Sequence, residues 1–461
     1  MNARRFEILA GPVREPFDAA QIQSSAVTAA PHWSDDPEVD AKVAPDPLLR
    51  ALLAPLDERA FVTDYLHRRP LHTTRVGASR THRRILSLDG LLETIASQHA
   101  PADSLRFMQG QTDGGPEEFA TEQFQRLHRG HTLHDFDRIR DYLANGRGSM
   151  IAHAVDHWIP SVRRFMAGLA EVTGCRTGAN AYYTPADARA FSPHWDTHDV
   201  LVVQLHGAKR WRVWEALLEH PLPQRPHMES AAYEGFIDDL PHRDLVLHEG
   251  DSLYLPAGTP HAAWTEAEDS LHLTAALTPV RWHDVLRDAV EQALVECEKE
   301  LELRIPCPAW HAGPHDATVQ STRREALERL CTHLDAVDLS SSLARLLGDE
   351  RGELPATTLV PPAVELGTSL RRTRGPMLVT PGEEHVCLDF GGRRLRFPVA
   401  ATAALRWLLD HVSIRPSDLP QLDDDDRIAV AQRLVEEGLL RHESIAAAAV
   451  PLPLHCQPLE K

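Results

Sequence analysis

The chain has 461 residues, 43% of them hydrophobic, enough for more than one buried core and for about three domains. With 48 basic against 67 acidic residues the formal charge is −19. That argues against nucleic-acid binding through a general basic surface and suits a basic protein or peptide partner, although an acidic solvated surface is the plainer reading. Six cysteines without a C-x-x-C pair fit a reducing compartment, with neither a disulfide framework nor a zinc knuckle. No apolar run approaches the ~20 residues of a membrane helix, and Met1–Ala10 lacks the apolar core of a signal peptide. The expected location is cytoplasmic.

Residues 1–45 mix Pro, Ser, Ala and acidic residues without a sustained period and are expected to form a mobile extension. Asp57 is placed to cap a helix whose apolar face is Phe61, Val62, Tyr65 and Leu66, ending ahead of Arg69-Pro70. Pro70–Thr74 reads as a strand, Ser87–Ile95 as a second capped helix and Leu105–Met108 as a strand carrying Arg106. Residues 120–145 read as charged helical turns. Gly148–Val155 is strand-like, and His157–Val172 forms a helix that turns Val162, Phe165, Met166 and Leu169 inward.

The stretch from Asn180 to Thr274 carries the chemistry. Phe191-Ser192-Pro193-His194-Trp195-Asp196 supplies a His-x-Asp pair, and Pro256-Ala257-Gly258-Thr259-Pro260 is a rigid loop that delivers His261. Two histidines and one carboxylate make a facial triad with open positions, the donor set of non-haem Fe(II) oxygen chemistry. Alternation along a strand would put His194 and Asp196 on one face. Asp199 is the other carboxylate weighed for this set, but it stands three residues from Asp196 and breaks the alternation. His198, His206, His248 and His272 read as packed or surface residues rather than a fourth ligand. Trp195 and Trp264 are either core or walls for a substrate side chain. Val200–Leu205 is an apolar buried-strand run, and Lys209, Trp211 and Val213 share a face of the next strand. A lysine on the inner face of a small barrel calls for an anion, and a dicarboxylate would supply one.

After Thr278 the texture becomes helical. Trp282–Leu303 carries a stripe of Val285, Leu286, Ala289, Val290, Ala293, Leu294, Cys297 and Leu301, and Ser321–Leu339 one of Ala326, Leu327, Leu330 and Leu334. These stripes either cover the barrel or hold two protomers together; the second is the expectation. Beyond about Pro361 come a hairpin over Cys387–Phe397 with a Gly391-Gly392 turn, a helix over Ala400–His411 and a short helix after Ser417. A helix over Asp426–Glu437 and a strand at Leu439-Leu440-Arg441 complete the unit. This looks like a winged helix. Asp423–Asp426 at the start of its would-be recognition helix would repel phosphate, which favours a protein-contact or structural role.

Taken together, Asn180-Ala181-Tyr182-Tyr183-Thr184-Pro185, the His194/Asp196/His261 set, Gly207-x-Lys209-x-Trp211-Arg212-Val213, Gly250-Asp251-x-Leu253-Tyr254-Leu255-Pro256 and Ser270-Leu271-His272-Leu273-Thr274 resemble the JmjC-type, cupin-fold oxygenases. The likeness is greatest to their ribosomal oxygenase branch. The resemblance implies an α+β fold with a double-stranded β-helix core, over residues 46–280. A helical dimerisation segment at 281–350 and a winged-helix-like unit at 361–450 would follow. It implies Fe(II) on His194, Asp196 and His261, with 2-oxoglutarate as cosubstrate, its distal carboxylate on Lys209 and with Asn180 and Thr274 at the same pocket. The implied reaction hydroxylates a protein side chain, a ribosomal-protein His or Arg foremost, with release of succinate and CO2. A peptide-tailoring hydroxylase, a lysine demethylase and a silent metal-binding cupin scaffold are the other readings. A homodimer without direct nucleic-acid or membrane contact is expected.

Overall fold

The computed structural model describes residues 47–443 except 55, 75–80, 98, 102, 110–111, 115–119, 123–131, 146–147, 190–191, 217, 224–236, 238–239, 308, 339–341, 344, 347–361, 374–376 and 391–392. The expected N-terminal extension, Phe191, the middle of the 120–145 segment and the Gly391-Gly392 turn lie outside the described residues.

Short helices α1 (Pro47–Leu53), α2 (Glu58–Asp64) and α3 (Leu88–Ala96) open the fold. Asp57 caps α2 by accepting from Ala60 N–H at 2.7 Å, and Ser87 caps α3 by accepting from Gly90 N–H at 3.1 Å. Next come α4 (Phe136–Ala144), α5 (Val155–Trp158) and α6 (Pro160–Thr173). The sequence pattern suggests one helix over His157–Val172. Pro160 instead starts a new helix, because it fits a first helical position and cannot continue α5.

The strands are β1 (Leu71–Thr73), β2 (Leu105–Gln109), β3 (Thr112–Gly114), β4 (Ala120–Glu122), β5 (Thr132–His134), β6 (Ser149–Ala152), β7 (Arg176–Thr184), β8 (Asp199–Trp214), β9 (His242–His248), β10 (Ser252–Leu255), β11 (His261–Trp264) and β12 (Ser270–Thr278). The main antiparallel sheet runs β1-β10-β8-β12-β7-β6-β2-β3. Strand β8 serves two sheets: its first half pairs with β10 and β12, its second half with β9 and β11. Gly207 stands at the changeover with φ +60°, where a Cβ would lie 1.8 Å from the Asp269 carbonyl oxygen. Only glycine fits there.

Alternation along these strands divides the core. Leu201, Val203, Leu205, Leu271, Leu273, Ala275 and Leu277 pack outward onto the helices in one cluster. Val200, Val202, Trp211, Val213, Leu247, Leu253 and Leu255 face the barrel interior in another. The apolar run Val200–Leu205 is therefore buried on both sides, as its composition predicts.

Helices Trp282–Cys297 and Ala317–Asp335 follow the barrel and pack on one another. The first expected span shortens, with Leu301 falling past its end ahead of a single 3-10 turn at Glu302–Arg304, and the second keeps its length but starts and ends four residues earlier. The expected stripe also splits. Val285, Ala293 and Cys297 are buried, whereas Leu286 (56%), Leu294 (48%), Leu301 (65%) and Leu327 (48%) are exposed, as is Trp282 (72%) outside the stripe.

The last unit has its own core around Leu370, Leu388, Leu405, Leu408 and Leu434. Strands Met377–Pro381, His385–Phe390 and Arg393–Pro398 form one meander, and Leu370–Arg372, Ser413–Ile414 and Leu440–His442 form a second small sheet. Helices Thr402–Leu409 and Asp424–Glu436 lie between. The second starts two residues earlier than expected, because Asp423 is the cap, accepting from Asp426 N–H at 2.9 Å. Arg372 reaches from this unit to Glu171 of α6 at 2.8 Å, its guanidinium also bonded to the His411 carbonyl at 3.0 Å.

Candidate metal and cosubstrate site

The atoms that could bind a metal on His194, Asp196 and His261 all lie within 4.8 Å of one another. His194 and Asp196 do not sit on a strand, contrary to the alternation argument. Pro193 has no N–H to give a ladder, and His194 makes only an isolated bridge to His261 in the loop before β8. That bridge is what aligns the site: His261 N–H donates to the His194 carbonyl at 2.8 Å, and His194 N–H to the His261 carbonyl at 3.1 Å. Gly258 N–H holds the Asp196 carbonyl at 2.8 Å. His261 begins β11 and pairs with Val213 of β8.

Both imidazoles are oriented the same way. Nδ1 of His194 faces the Ser192 carbonyl at 3.0 Å, and Nδ1 of His261 faces the Thr259 carbonyl at 3.0 Å. A carbonyl fixes the proton on Nδ1 and leaves Nε2 as the donor to a metal. Nε2 of His261 lies 3.8 Å from the Asp196 carboxylate. Burial, and then the neighbouring His194, push the His261 pKa down to about 4, so it is neutral and ready to ligate at physiological pH. Asp199 is not a surrogate ligand. It is buried, paired with His67 Nδ1 at 2.6 Å and with the Tyr254 hydroxyl. Trp195 belongs to a small core with Trp214, Ile237 and Ala262, against which Trp264 packs.

Lys209 points into the interior and is 2% exposed. Among the described residues its ammonium meets Thr184 Oγ1 at 2.9 Å and no carboxylate. Burial alone pushes its pKa down to about 7. Thr184 lies on the same face of β7 as Tyr182 and Asn180, by alternation. On the same face of the neighbouring strand, β12 pairs Ser270 with Thr184, His272 with Tyr182 and Thr274 with Asn180. Asn180 accepts from Ala154 N–H at 3.0 Å and hydrogen-bonds the Tyr182 hydroxyl, whose pKa burial pushes up to about 12. The Tyr182 ring stacks on His272 with centroids 4.9 Å apart and planes 4° apart.

Three interior residues were given no binding role from the sequence: Tyr182, Thr184 and His272. The signal for the first two was present in their spacing from Asn180. His272 is packed, as expected, but beside Lys209. Its Nδ1 has no partner among the described residues, and burial, then Lys209, hold its pKa well below the usual range. The interior thus presents three candidate metal donors at one place and a buried cation with unused polar atoms at another.

Residues 156–285, which span the strands and loops that carry the site, match the family model described as JmjC domain. A bifunctional lysine-specific demethylase and histidyl-hydroxylase NO66 of Drosophila mojavensis is 28% identical over 318 residues, 62% of this chain and 35% of that protein. The NO66 of Brugia malayi is 34% identical over 148 residues, 31% of this chain and 20% of that protein. The chain therefore spans about a third or less of the curated relatives it matches. Among solved structures, the ribosomal oxygenase YcfD of Escherichia coli in complex with cobalt and 2-oxoglutarate matches with a TM-score of 0.50 at 20% identity, covering 84% of this chain and 99% of that one. The fold of that chain is shared across most of the length.

Proposed function

We propose that the chain is an Fe(II)- and 2-oxoglutarate-dependent oxygenase that hydroxylates a side chain of a protein or peptide. The observation that carries this reading is Lys209. A buried ammonium beside a hydroxyl and, among the described residues, no carboxylate suits a site that awaits an anion. A scaffold that only stores metal has no use for it. His194, Asp196 and His261 would hold the iron, and their two imidazole nitrogens and one carboxylate fit Fe(II). When bound, iron and the 2-oxo acid would supply the oxidising chemistry, with succinate and CO2 released. The chain's own residues orient and exclude: Lys209 and Thr184 anchor the distal carboxylate, Asn180 fixes the Tyr182 hydroxyl, and Thr274 closes the same wall of the pocket.

The relatives named histidyl-hydroxylase and the fold of a ribosomal oxygenase support a ribosomal-protein histidine or arginine as target. A net charge of −19 suits such a basic partner. Lysine demethylation is the second reading, supported by the other half of the NO66 name. The domain division proposed is 46–280, 281–350 and 361–450. The middle part would dimerise through its exposed apolar face of Trp282, Leu286, Leu294, Val295 and Leu327. The winged-helix-like last part would contact protein rather than nucleic acid. Cys175, Cys297, Cys307, Cys331 and Cys387 form no disulfide among the described residues, which suits the cytoplasm, and no helix among the described residues is long and apolar enough to cross a membrane. Mass spectrometry of ribosomal proteins incubated with the protein, Fe(II) and 2-oxoglutarate tests the substrate. A one-oxygen gain on a histidine or arginine supports hydroxylation; loss of a methyl group from lysine favours the second reading.

A further inference from the structure

A buried carboxylate outside the triad sits beside the turn that leads to His261. Asp199, the first residue of β8, is 1% exposed. Its Oδ1 accepts from Ala257 N–H at 2.9 Å. Its Oδ2 meets His67 Nδ1 at 2.6 Å, accepts from His67 N–H at 3.2 Å and accepts from the Tyr254 hydroxyl. The Tyr254 oxygen also accepts from His67 N–H at 2.7 Å. Burying a carboxylate is costly unless it is fully bonded, and this one gathers partners from the segment after α2, from β10 and from the turn. His67 is held at φ +60°, a conformation unusual for a residue other than glycine.

The turn itself is well defined. Thr259 N–H donates to the Pro256 carbonyl at 3.2 Å and Gly258 has φ +81°, the pattern of a type II turn with Ala257 at its first corner. A Cβ on Gly258 would lie 2.1 Å from the Leu218 carbonyl oxygen. The two consecutive N–H groups of this turn point to different ends of the site. Ala257 N–H goes to Asp199, and Gly258 N–H to the carbonyl of Asp196 at 2.8 Å. Past the turn, the Pro260 carbonyl accepts from Trp214 N–H at 3.0 Å, and His261 exchanges two backbone bonds with His194.

We propose that Asp199 is a positioning residue of the metal site: by holding Ala257 it fixes the turn that clamps the backbone of Asp196 and sets the approach of His261. The inference rests on the reading of His194, Asp196 and His261 as metal ligands. A carboxylate that only stabilised the fold would change melting without changing the metal.

The test titrates cobalt(II) into the full chain, follows visible absorption, which reports ligand geometry, and measures thermal unfolding of the metal-free protein in parallel. Asp199→Ala should lower cobalt affinity about 10- to 100-fold, the usual effect of losing a group that orients ligands, and should alter the absorption band. Leu434→Ala, in the core of the last unit, should lower the melting temperature with cobalt affinity and spectrum unchanged. Ala257→Pro removes the N–H while proline suits that corner of a type II turn. It should weaken cobalt binding in the same direction with the fold retained, so the test survives if Asp199→Ala fails to fold. Unchanged affinity and spectrum in a folded variant of either kind overturns the inference alone. An unsubstituted protein that binds no cobalt overturns both it and the metal reading beneath it.

Discussion

Replacing Lys209 by Met keeps the aliphatic stem and removes the charge, and it should move stability and cosubstrate binding in opposite directions. Burial lowers the Lys209 pKa from 10.5 to about 7 in the folded chain. Each unit of such a difference is worth about 1.36 kcal/mol, so keeping the ammonium buried costs the metal-free protein roughly 5 kcal/mol. Between the two pKa values the unfolded chain holds the proton and the folded chain does not. The penalty is therefore fully present at pH 7 and below, shrinks as pH rises, and is gone above 10.5. Lys209→Met should raise the melting temperature near neutral pH, with the gain fading toward alkaline pH. The same change should weaken 2-oxoglutarate binding by about one to two decades, since a charge-assisted hydrogen bond contributes roughly 1.5–3 kcal/mol. In the unsubstituted protein, affinity should fall as pH rises above about 7, because only the ammonium form binds the carboxylate. Scanning calorimetry across pH and calorimetric titration with 2-oxoglutarate and Mn(II) read both effects. A variant that melts lower yet binds the 2-oxo acid normally would refute the reasoning, because Lys209 would then be packing and the anchor elsewhere.

Three further outcomes are expected. His194→Ala or Asp196→Ala should abolish turnover and lower Fe(II) affinity with circular dichroism unchanged, since the triad has no redundant member; full activity in either would remove the metal assignment. The protein should run as a dimer by light scattering, and Leu286→Asp with Leu294→Asp, at positions 56% and 48% exposed, should give a folded monomer. Gly207→Ala should destabilise the barrel well beyond the about 1 kcal/mol of an ordinary glycine substitution, because the new Cβ meets a backbone oxygen at 1.8 Å; an unchanged denaturant midpoint would contradict that.

The site was legible where its chemistry is written in adjacent residues. His194-x-Asp196, the Pro256–Pro260 loop and Lys209 each declare a donor type that few other contexts need. The strand assigned to His194 and Asp196 failed because i, i+2 spacing is also satisfied by a loop. Only the long-range bridge to His261 shows which one is present. Tyr182 and Thr184 were given no role of their own, and His272 was read only as packed or surface, because strand alternation gives a face but not its identity. The face became the interior only once β7 paired with β12 on one side and β6 on the other. The helical stripes were visible as hydrophobic periods, yet which members are covered depends on helix-to-helix packing far along the chain. Val285 is buried and Leu286 is not. Asp199 was weighed as a ligand, and its actual partners, His67 and Tyr254, lie 132 and 55 residues away, beyond anything local pattern can reach.

The most direct measurement of the central claim is succinate release by the purified protein supplied with Fe(II), 2-oxoglutarate and O2, without any protein substrate. The account predicts slow uncoupled turnover that stops when iron is chelated and is lost in Asp196→Ala. No succinate above the level of Asp196→Ala, from protein shown to bind both iron and 2-oxoglutarate, would contradict it and leave a metal-binding scaffold in its place.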